Sequence, residues 1–370
     1  MRVGLDATPL LGPRTGVGQY AANLISSLAA LPDRPDLRLV PFTWRGAADL
    51  PAHAPRGPGI SVSTRRAPAR LLREVWARWP VPPVEWLAGP VDVFHGTNFV
   101  LPPARRAAGV VTVHDLAYEL FPETVTAASR RYRELVPRAL RRAAVLVTVA
   151  AATADDLAQF YRFERSQIVV TPLGVDPGWA AAIAPDAGLR ARLGLPERYL
   201  VFVGAAEPRK NLPVLLAAHA RLRASHPETP PLVLVGPAGW GARTTPAADG
   251  SVLRLGYLDS VDVPRVVAGA AALVLPSRYE GFGLTALEAL ACGTPVVASD
   301  LPVIREVTGG LAELVPVGDV DAMADALARL LADDGGPPAR AVRRAHAAGW
   351  TWQRCAERTL DAYRLAVTSA

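Results

Sequence analysis

The stretch Ser277-Arg-Tyr-Glu280-Gly281-Phe282-Gly283-Leu284-Thr-Ala-Leu-Glu288-Ala-Leu-Ala-Cys-Gly-Thr-Pro-Val-Val297 reads as a strand end, a tight glycine loop, a short helix and a second strand. The apolar run Ala272-Leu-Val-Leu275 before it suits a strand buried on both faces of a parallel sheet. Glu280 therefore stands at the carboxyl end of a strand, where open α/β sheets bind ligands. Gly281 and Gly283 let the backbone turn tightly and come close to a ligand. A helix beginning near Leu284 turns its first N–H groups and a partial positive charge toward an anion. Glu288 falls near the first turn, and helical side chains lean toward the N-terminus, so its carboxylate reaches the same pocket. Hydroxyls for two carboxylates and phosphates for a helix end together suit a sugar nucleotide. The plainer alternative is a helix-terminal charge and a surface acid.

At 370 residues the chain is long enough for two ordinary domains, each with its own core. Half of it is hydrophobic and a fifth is charged, as in a soluble globular protein. No apolar run reaches the length of a membrane span, and the N-terminus lacks a basic segment followed by an apolar core, so the expected location is the cytoplasm. Cys292 and Cys355 have no metal-ligand spacing and form no disulfide framework; both read as small core residues. A net charge of +6 and a pI near 9.7 are compatible with nucleic acid, anionic lipid or phosphorylated substrates. Lys210 is the only lysine in a chain that otherwise uses arginine, which suggests that a compact ammonium is wanted there.

From the N-terminus, Arg2–Asp6 is a first strand, and the loop Pro9 to Tyr20 opens a helix running to Ala30. Gly16-Val-Gly18-Gln-Tyr-Ala21 satisfies G-x-G-x-x-A, which raises a nicotinamide-dependent oxidoreductase as an alternative. The glycines come about ten residues after the strand, and the next strand, Leu37 to Thr43, ends without an acid for a ribose. The loop instead reads as a close-approach wall facing the other domain. Residues 45–90 place Arg65, Arg66, Arg70, Arg73 and Arg78 beside Trp76, Trp79 and Trp86. This reads as a basic surface helix with inward indoles, and secondarily as a membrane-interface helix. A second basic helix, Ala127 to Ala144, gathers Arg130, Arg131, Arg138, Arg141 and Arg142 on an arc of about 120°. It reads as a solvated face first and an anionic-membrane face second.

The strands Val91 to His95 and Gly109 to Asp115 end in polar residues at the ligand-binding edge, and the pair His114-Asp115 balances a functional reading against a structural one. Val145–Val149 and Gln167–Val170 complete the first sheet, and the turn-rich Thr171–Gly178 marks a boundary. A second set begins at Tyr199–Val203 and turns through Glu207-Pro-Arg209-Lys210-Asn211 into a helix from Leu212 to Ala224. Strands at 232–235, 252–255, 272–275, 295–298 and 312–315 alternate with helices, and the last helices fall near 319–331 and 351–367.

With these residues in place, the chain resembles family 4 of the retaining glycosyltransferases over nearly its whole length. The resemblance rests on Gly16-Val-Gly18, Val93-Phe-His95-Gly-Thr-Asn98, Thr112-Val-His114-Asp115-Leu116, Thr171-Pro-Leu-Gly-Val-Asp176, Glu207-Pro-Arg209-Lys210-Asn and the diagnostic Glu280-x7-Glu288. It implies an α/β GT-B fold with two Rossmann-like domains facing a central cleft. Residues 1–178 would hold the acceptor and 179–350 the nucleotide sugar, with a C-terminal helix at 351–370 returning to the N-terminal domain. Catalytic roles fall on Lys210, Arg209, Glu280 and His114: the first two against the diphosphate, the others beside the transferred sugar. Glu288 would bind the ribose, the amides of Phe282, Gly283 and Leu284 the sugar and phosphates, Gly16 and Gly18 the donor's facing wall, and Tyr257 and Leu258 the base.

One departure is Ala205, where many members carry arginine after the glycine that ends the first C-domain strand; Thr285 also replaces a frequent proline. The expected activity is transfer of a hexose from a GDP-, UDP- or similar sugar to a saccharide, lipid-linked or small-molecule acceptor. It needs no metal or cofactor and proceeds by front-face attack with retention. No nucleic-acid partner is expected, and membrane contact is confined to the basic helices at the cytoplasmic face. A non-catalytic nucleotide-sugar-binding protein is the remaining alternative.

Overall fold

The computed structural model describes residues 1–12, 16–44, 46–65, 68–241 and 249–369. Residues 13–15 of the loop before Gly16, and Arg66, lie outside these, as do the side chains of Arg70 and Arg73. The chain divides into two compact units: residues 1–119, 127–174 and those from Thr351 onward form one, and Leu120–Thr126 with Val175–Trp350 the other.

The first unit is built on a seven-stranded sheet in the order β3-β2-β1-β4-β5-β6-β7. Its strands are β1 (Arg2–Asp6), β2 (Asp36–Val40), β3 (Ile60–Val62), β4 (Val93–Gly96), β5 (Ala108–Val113), β6 (Val145–Thr148) and β7 (Ile168–Val170). All neighbours pair in parallel. The central strands β4, β5 and β6 are buried along their whole length, as apolar runs covered on both faces must be. The helix Gly16–Ala30 buries Tyr20, Leu24, Ile25 and Leu28 at helical spacing, and the last helix, Trp352–Ser369, packs on it and on β4 to β7. The chain enters that last helix through a tight approach: a Cβ added to Gly174 would lie 2.1 Å from the Trp352 nitrogen.

Beneath that helix a polar core replaces the ligand edge expected around His95. His95 is fully buried inside β4; its Nδ1 pairs with the Tyr363 hydroxyl at 2.8 Å and its Nε2 with Thr112 Oγ1 at 2.7 Å. Tyr20 joins the same Thr112 oxygen at 2.9 Å. Burial, and then the neighbouring His114, push the His95 imidazole down to about 3, so it stays neutral.

The second unit carries a six-stranded parallel sheet in the order β10-β9-β8-β11-β12-β13. Its strands are β8 (Leu200–Val203), β9 (Leu232–Val235), β10 (Val252–Gly256), β11 (Ala272–Leu275), β12 (Val296–Ser299) and β13 (Ala312–Val315). One face is covered by the helices Leu212–Ser225 and Val320–Ala332, with Phe202, Leu215, Leu234, Val274, Met323 and Leu327 in one core. Asp319 caps the latter helix, accepting from the Asp321 and Ala322 amides at 3.0 and 2.9 Å.

Several expectations are corrected. The proposed helix Ala127 to Ala144 is two, Ala127–Arg130 and Tyr132–Arg142, because the Arg131 amide turns back to the Ala128 carbonyl and breaks the i to i−4 ladder. Arg142 leaves the basic arc to donate to the carbonyls of Leu101 and Trp76. Of the three indoles, only Trp76 packs inward; Trp79 and Trp86 remain 56% and 67% exposed. Strand β3 and the helix Gly336–Ala348 were not foreseen. No helix among the described residues is long and apolar enough to cross a membrane.

The buried His95 network predicts a cost for a change of one oxygen. Tyr363→Phe leaves His95 Nδ1 without a partner, and the expected loss is about 1–3 kcal/mol, read as a lower urea midpoint with an unchanged m-value.

Candidate functional site

In the second sheet the strand order reverses between β8 and β11, which pair through Ala272 with Leu200 and Leu273 with Val201. Such a reversal opens a crevice at the carboxyl edge. The loop after β8 delivers Arg209 and Lys210 in a 3-10 turn, Pro208–Lys210, and the loop after β11 delivers Ser277 to Glu280. The Arg278 amide donates to the Arg209 carbonyl at 2.9 Å, which fixes one loop against the other.

The charges converge on Glu280. Lys210 Nζ donates to Oε1 at 2.7 Å and Arg209 to Oε2 at 2.8 Å, while Ser277 Oγ donates to Oε1 at 2.6 Å. Arg209 also donates to the Tyr279 carbonyl at 2.6 Å and lies 3.5 Å from Glu207. Glu280 is only 7% exposed. Burial alone would raise its carboxyl, but the charges of Lys210 and Arg209, with the hydrogen bonds from Lys210 and Ser277, bring it down to about 2.

Immediately beyond, Gly283 caps the helix Leu284–Cys292 with φ of 90°, and a Cβ there would lie 2.5 Å from Ile304 Cδ1. Only glycine suits the position. The Phe282 ring is turned inward, edge-on to Trp350 at 5.7 Å, which leaves its backbone to shape the loop. The far end of the helix is held by the unforeseen helix Gly336–Ala348: Arg343 donates to the Gly293 carbonyl at 2.9 Å and Arg344 to the Cys292 carbonyl at 3.1 Å. Cations on the last carbonyls complement the helix dipole.

Glu288 lies in the second turn of that helix, one turn further in than expected. Its environment opposes that of Glu280. Burial, then the charge of Asp176, push its carboxyl up to about 8, with Lys210 pulling the other way. Asp176 itself caps the turn Pro177–Ala180, accepting from the Gly178 amide at 2.8 Å.

The segment Leu120–Thr126 belongs to this unit and packs beside the Glu280 turn. Phe121 lies against Tyr279 with ring centroids 5.5 Å apart, the Arg278 guanidinium sits over Phe121, and Trp240 donates to the Thr124 carbonyl at 3.1 Å. Tyr257 and Leu258 follow β10 at the same carboxyl edge but two strands out from β8, and Tyr257 is 64% exposed. Among the described residues no three His, Cys, Asp or Glu side chains gather as a metal site.

His114, Gly16 and Gly18 belong to the first unit. His114 follows β5 and is buried; its Nε2 donates to the Thr97 carbonyl at 2.8 Å, and Tyr20 meets its ring edge-on at 4.8 Å. Burial lowers its pKa, against the Thr97 bond and Asp115. Asp115 does not bond that ring; its Oδ1 accepts from the Ala117 amide. Gly16 and Gly18 open the helix that carries Tyr20. Ser277, Asp176 and Glu207 were missed as site residues, although all three stood inside quoted motifs.

The chain is similar to known proteins along its length. Residues 14–179 match the family described as Glycosyltransferase Family 4, and residues 197–333 the family described as Glycosyl transferases group 1. The chain is 30% identical to O-antigen chain mannosyltransferase B of Escherichia coli, over 99% of this chain and 100% of that one. Its fold is similar to sucrose-phosphate synthase of Thermosynechococcus elongatus, with a TM-score of 0.72 and 20% identity over the whole of both chains. It is also similar to Anabaena HepE in complex with UDP-glucose, with a TM-score of 0.69 and 20% identity over 97% of this chain and 98% of that one.

The two acids predict opposite pH behaviour. Glu280 ionises far below its ordinary 4.5, so its stabilisation is complete above that value and lost as pH falls toward about 2. The loss is about 3 kcal/mol, and Glu280→Gln, less stable at pH 7, shows a correspondingly smaller acid loss in urea titrations. Glu288 keeps a proton that the unfolded chain has released, so stability falls as pH rises from 4.5 to about 8. Glu288→Gln flattens that slope.

Proposed function

The chain is a glycosyltransferase of family 4 with the GT-B fold, and from that premise we propose that it moves a hexose from a nucleoside-diphosphate sugar to a saccharide hydroxyl, with retention of anomeric configuration. The observation that carries this reading is the convergence of Lys210 and Arg209 on Glu280 at the strand-order reversal, beside a glycine-capped helix N-terminus.

In this reading the diphosphate lies between the Leu284 helix end and the two cations. As the bond from the anomeric carbon to the phosphate oxygen breaks, its electron pair passes to that oxygen. Preorganised positive charge stabilises the leaving group as it develops. The acceptor hydroxyl attacks from the face the diphosphate is leaving; its oxygen bonds to the anomeric carbon and its proton goes to the departing phosphate. No protein nucleophile is assigned, and Lys210 with Arg209 supplies the charge without a metal or cofactor. Arg209 reaches the cluster from four residues beyond Ala205, the position at which the resemblance leads to an expected arginine.

Glu280 takes the sugar hydroxyls and Glu288 the ribose, with the amides of Phe282, Gly283 and Leu284 on the sugar and phosphates. His114 donates through Nε2 to Thr97, which leaves the lone pair on Nδ1 to accept a sugar hydroxyl. Tyr257 and Leu258 are assigned to the base. The donor in this reading is a GDP-, UDP- or similar hexose; one relative is named a mannosyltransferase and one structural neighbour is in complex with UDP-glucose, which supports a hexose on a nucleoside diphosphate. Family membership displaces the nicotinamide-dependent alternative for Gly16-Val-Gly18.

A second element of the proposal is peripheral contact with anionic membrane. Glu74 pairs with both Arg78 and Arg131, which draws the two basic helices together, and exposed Trp79 follows Arg78 directly. Indoles beside arginines suit a lipid headgroup layer.

Four measurements test these assignments. In a thermal-shift panel, GDP or UDP raises Tm in proportion to log concentration, and silence at millimolar levels removes the donor site. Lys210→Ala slows transfer roughly tenfold to a hundredfold, and the anomeric proton of the product shows retention by NMR. Replacing Arg130, Arg131, Arg138 and Arg141 weakens binding to phosphatidylglycerol vesicles at low salt; equal binding removes the membrane contact.

A further inference from the structure

The chain lends the segment Leu120–Thr126 to the second unit from between two stretches that belong to the first. Within it the Thr124 amide and hydroxyl both donate to the Phe121 carbonyl, at 2.9 and 2.7 Å, and Pro122 presets the second position of the turn so closed. This strap reaches both loops of the crevice, one directly and one through Trp240. Against the loop after β11, the Phe121 ring lies on Tyr279 with centroids 5.5 Å apart, the Arg278 guanidinium stands 5.5 Å over the same ring, and Glu123 is 3.3 Å from Arg278. Toward the loop after β8, the Thr124 carbonyl accepts from the Trp240 indole, and the adjacent Gly241 amide donates to the Ala206 carbonyl at 2.8 Å. Gly241 permits that approach, since a Cβ there would lie 2.5 Å from the Ala206 oxygen.

We infer that this strap positions Arg209, with Phe121 as its principal residue: the strap fixes Arg278 and Tyr279, and these two fix the guanidinium. Arg209 is bonded at both ends by that pair, its carbonyl accepting from the Arg278 amide at 2.9 Å and its guanidinium donating to the Tyr279 carbonyl at 2.6 Å. Where residues 278 and 279 sit therefore decides where Arg209 points. Phe121 carries most of the hold on them. The Arg278 and Glu123 side chains are 41% and 58% exposed, and an ion pair so open to solvent contributes little. An aromatic pair with a cation over one of its rings contributes more. The inference rests on the donor-site reading above and adds residues that act through Arg209 rather than on substrate. Direction matters there because charge-assisted bonds from a guanidinium to a phosphate depend on its planar fork being aimed.

The test is a double-mutant cycle on the full chain, read as the Kd for UDP and for GDP by titration. Phe121→Ala is expected to weaken the nucleotide that the wild-type protein binds by about tenfold, and Phe121→Tyr, which keeps the ring, to restore it. In an Arg209→Ala background the same Phe121→Ala change is expected to cost less than about twofold, because the group it positions is gone. A merely structural ring costs the same in both backgrounds; that result overturns the inference, as does an unchanged Kd in Phe121→Ala. Trp240→Phe removes only the hydrogen bond to Thr124 and is expected to weaken binding by roughly threefold to fivefold, again only where Arg209 is present. It decides the matter if Phe121→Ala folds poorly, and no loss in it overturns the strap. A Kd that rises in Arg209→Ala but in neither strap variant removes the strap and keeps the donor site. Failure of the wild-type protein to bind either nucleotide brings down both.

Discussion

A carboxylate held at 7% exposure is tolerable only if its charge is answered, and Glu280 is answered twice. Because Lys210 and Arg209 come from the loop after β8 and Glu280 from the loop after β11, the same contacts that solvate the acid hold the two sides of the crevice together. The two cations are therefore held in place, largely desolvated and aimed at Glu280. Such an arrangement needs little reorganisation when charge develops on a leaving group. The acid eight residues further on is governed differently: Glu288 has Asp176 for a neighbour and a raised pKa, so near neutral pH one carboxyl is ionised and the other holds its proton. Environments that drive like groups apart in pKa give them different hydrogen-bonding roles, acceptor alone for Glu280, donor as well for Glu288.

What could be read beforehand followed local pattern. Runs such as Ala272–Leu275 and Leu232–Val235 sit on buried parallel strands because four apolar residues between turn formers have no other comfortable place. Gly283 marked a helix cap because left-handed backbone excludes a side chain, and the residues flanking it fell where strand ends collect ligands. The misses have physical causes. Gly335-Gly-Pro-Pro338 looks like a breaker, yet proline in the first turn is compatible with helix and begins Gly336–Ala348. The three-residue β3 is too short to show a period. Ser277 and Asp176 act through contacts made by the fold, and no spacing along the chain announces which carboxylate a distant serine or acid will face.

His95 shows the same limit from the other side. Its position at the end of an apolar strand suggested an edge residue, but the last helix brings Tyr363 over it from 268 positions away and converts it into a neutral, fully bonded core group. The adjacent polar position, His114, keeps one ring nitrogen engaged with Thr97 and is the group left with chemistry to offer. Two histidines ending neighbouring strands thus differ because a helix from the far end of the chain covers one of them.

The two strand-order reversals, between β8 and β11 and between β1 and β4, obey one topological rule and carry different side chains. In the second unit two cations converge at the crevice; in the first, the lining is a carboxylate, an amide and an indole. The two cations of the second unit are paired with Glu280, and Arg209 lies 3.5 Å from Glu207 as well. The overall charge of +6 says nothing of this division, since surface arginines dominate it. A charge buried in low dielectric, such as that of Glu280, counts for more than several in solvent, where salt and water screen them.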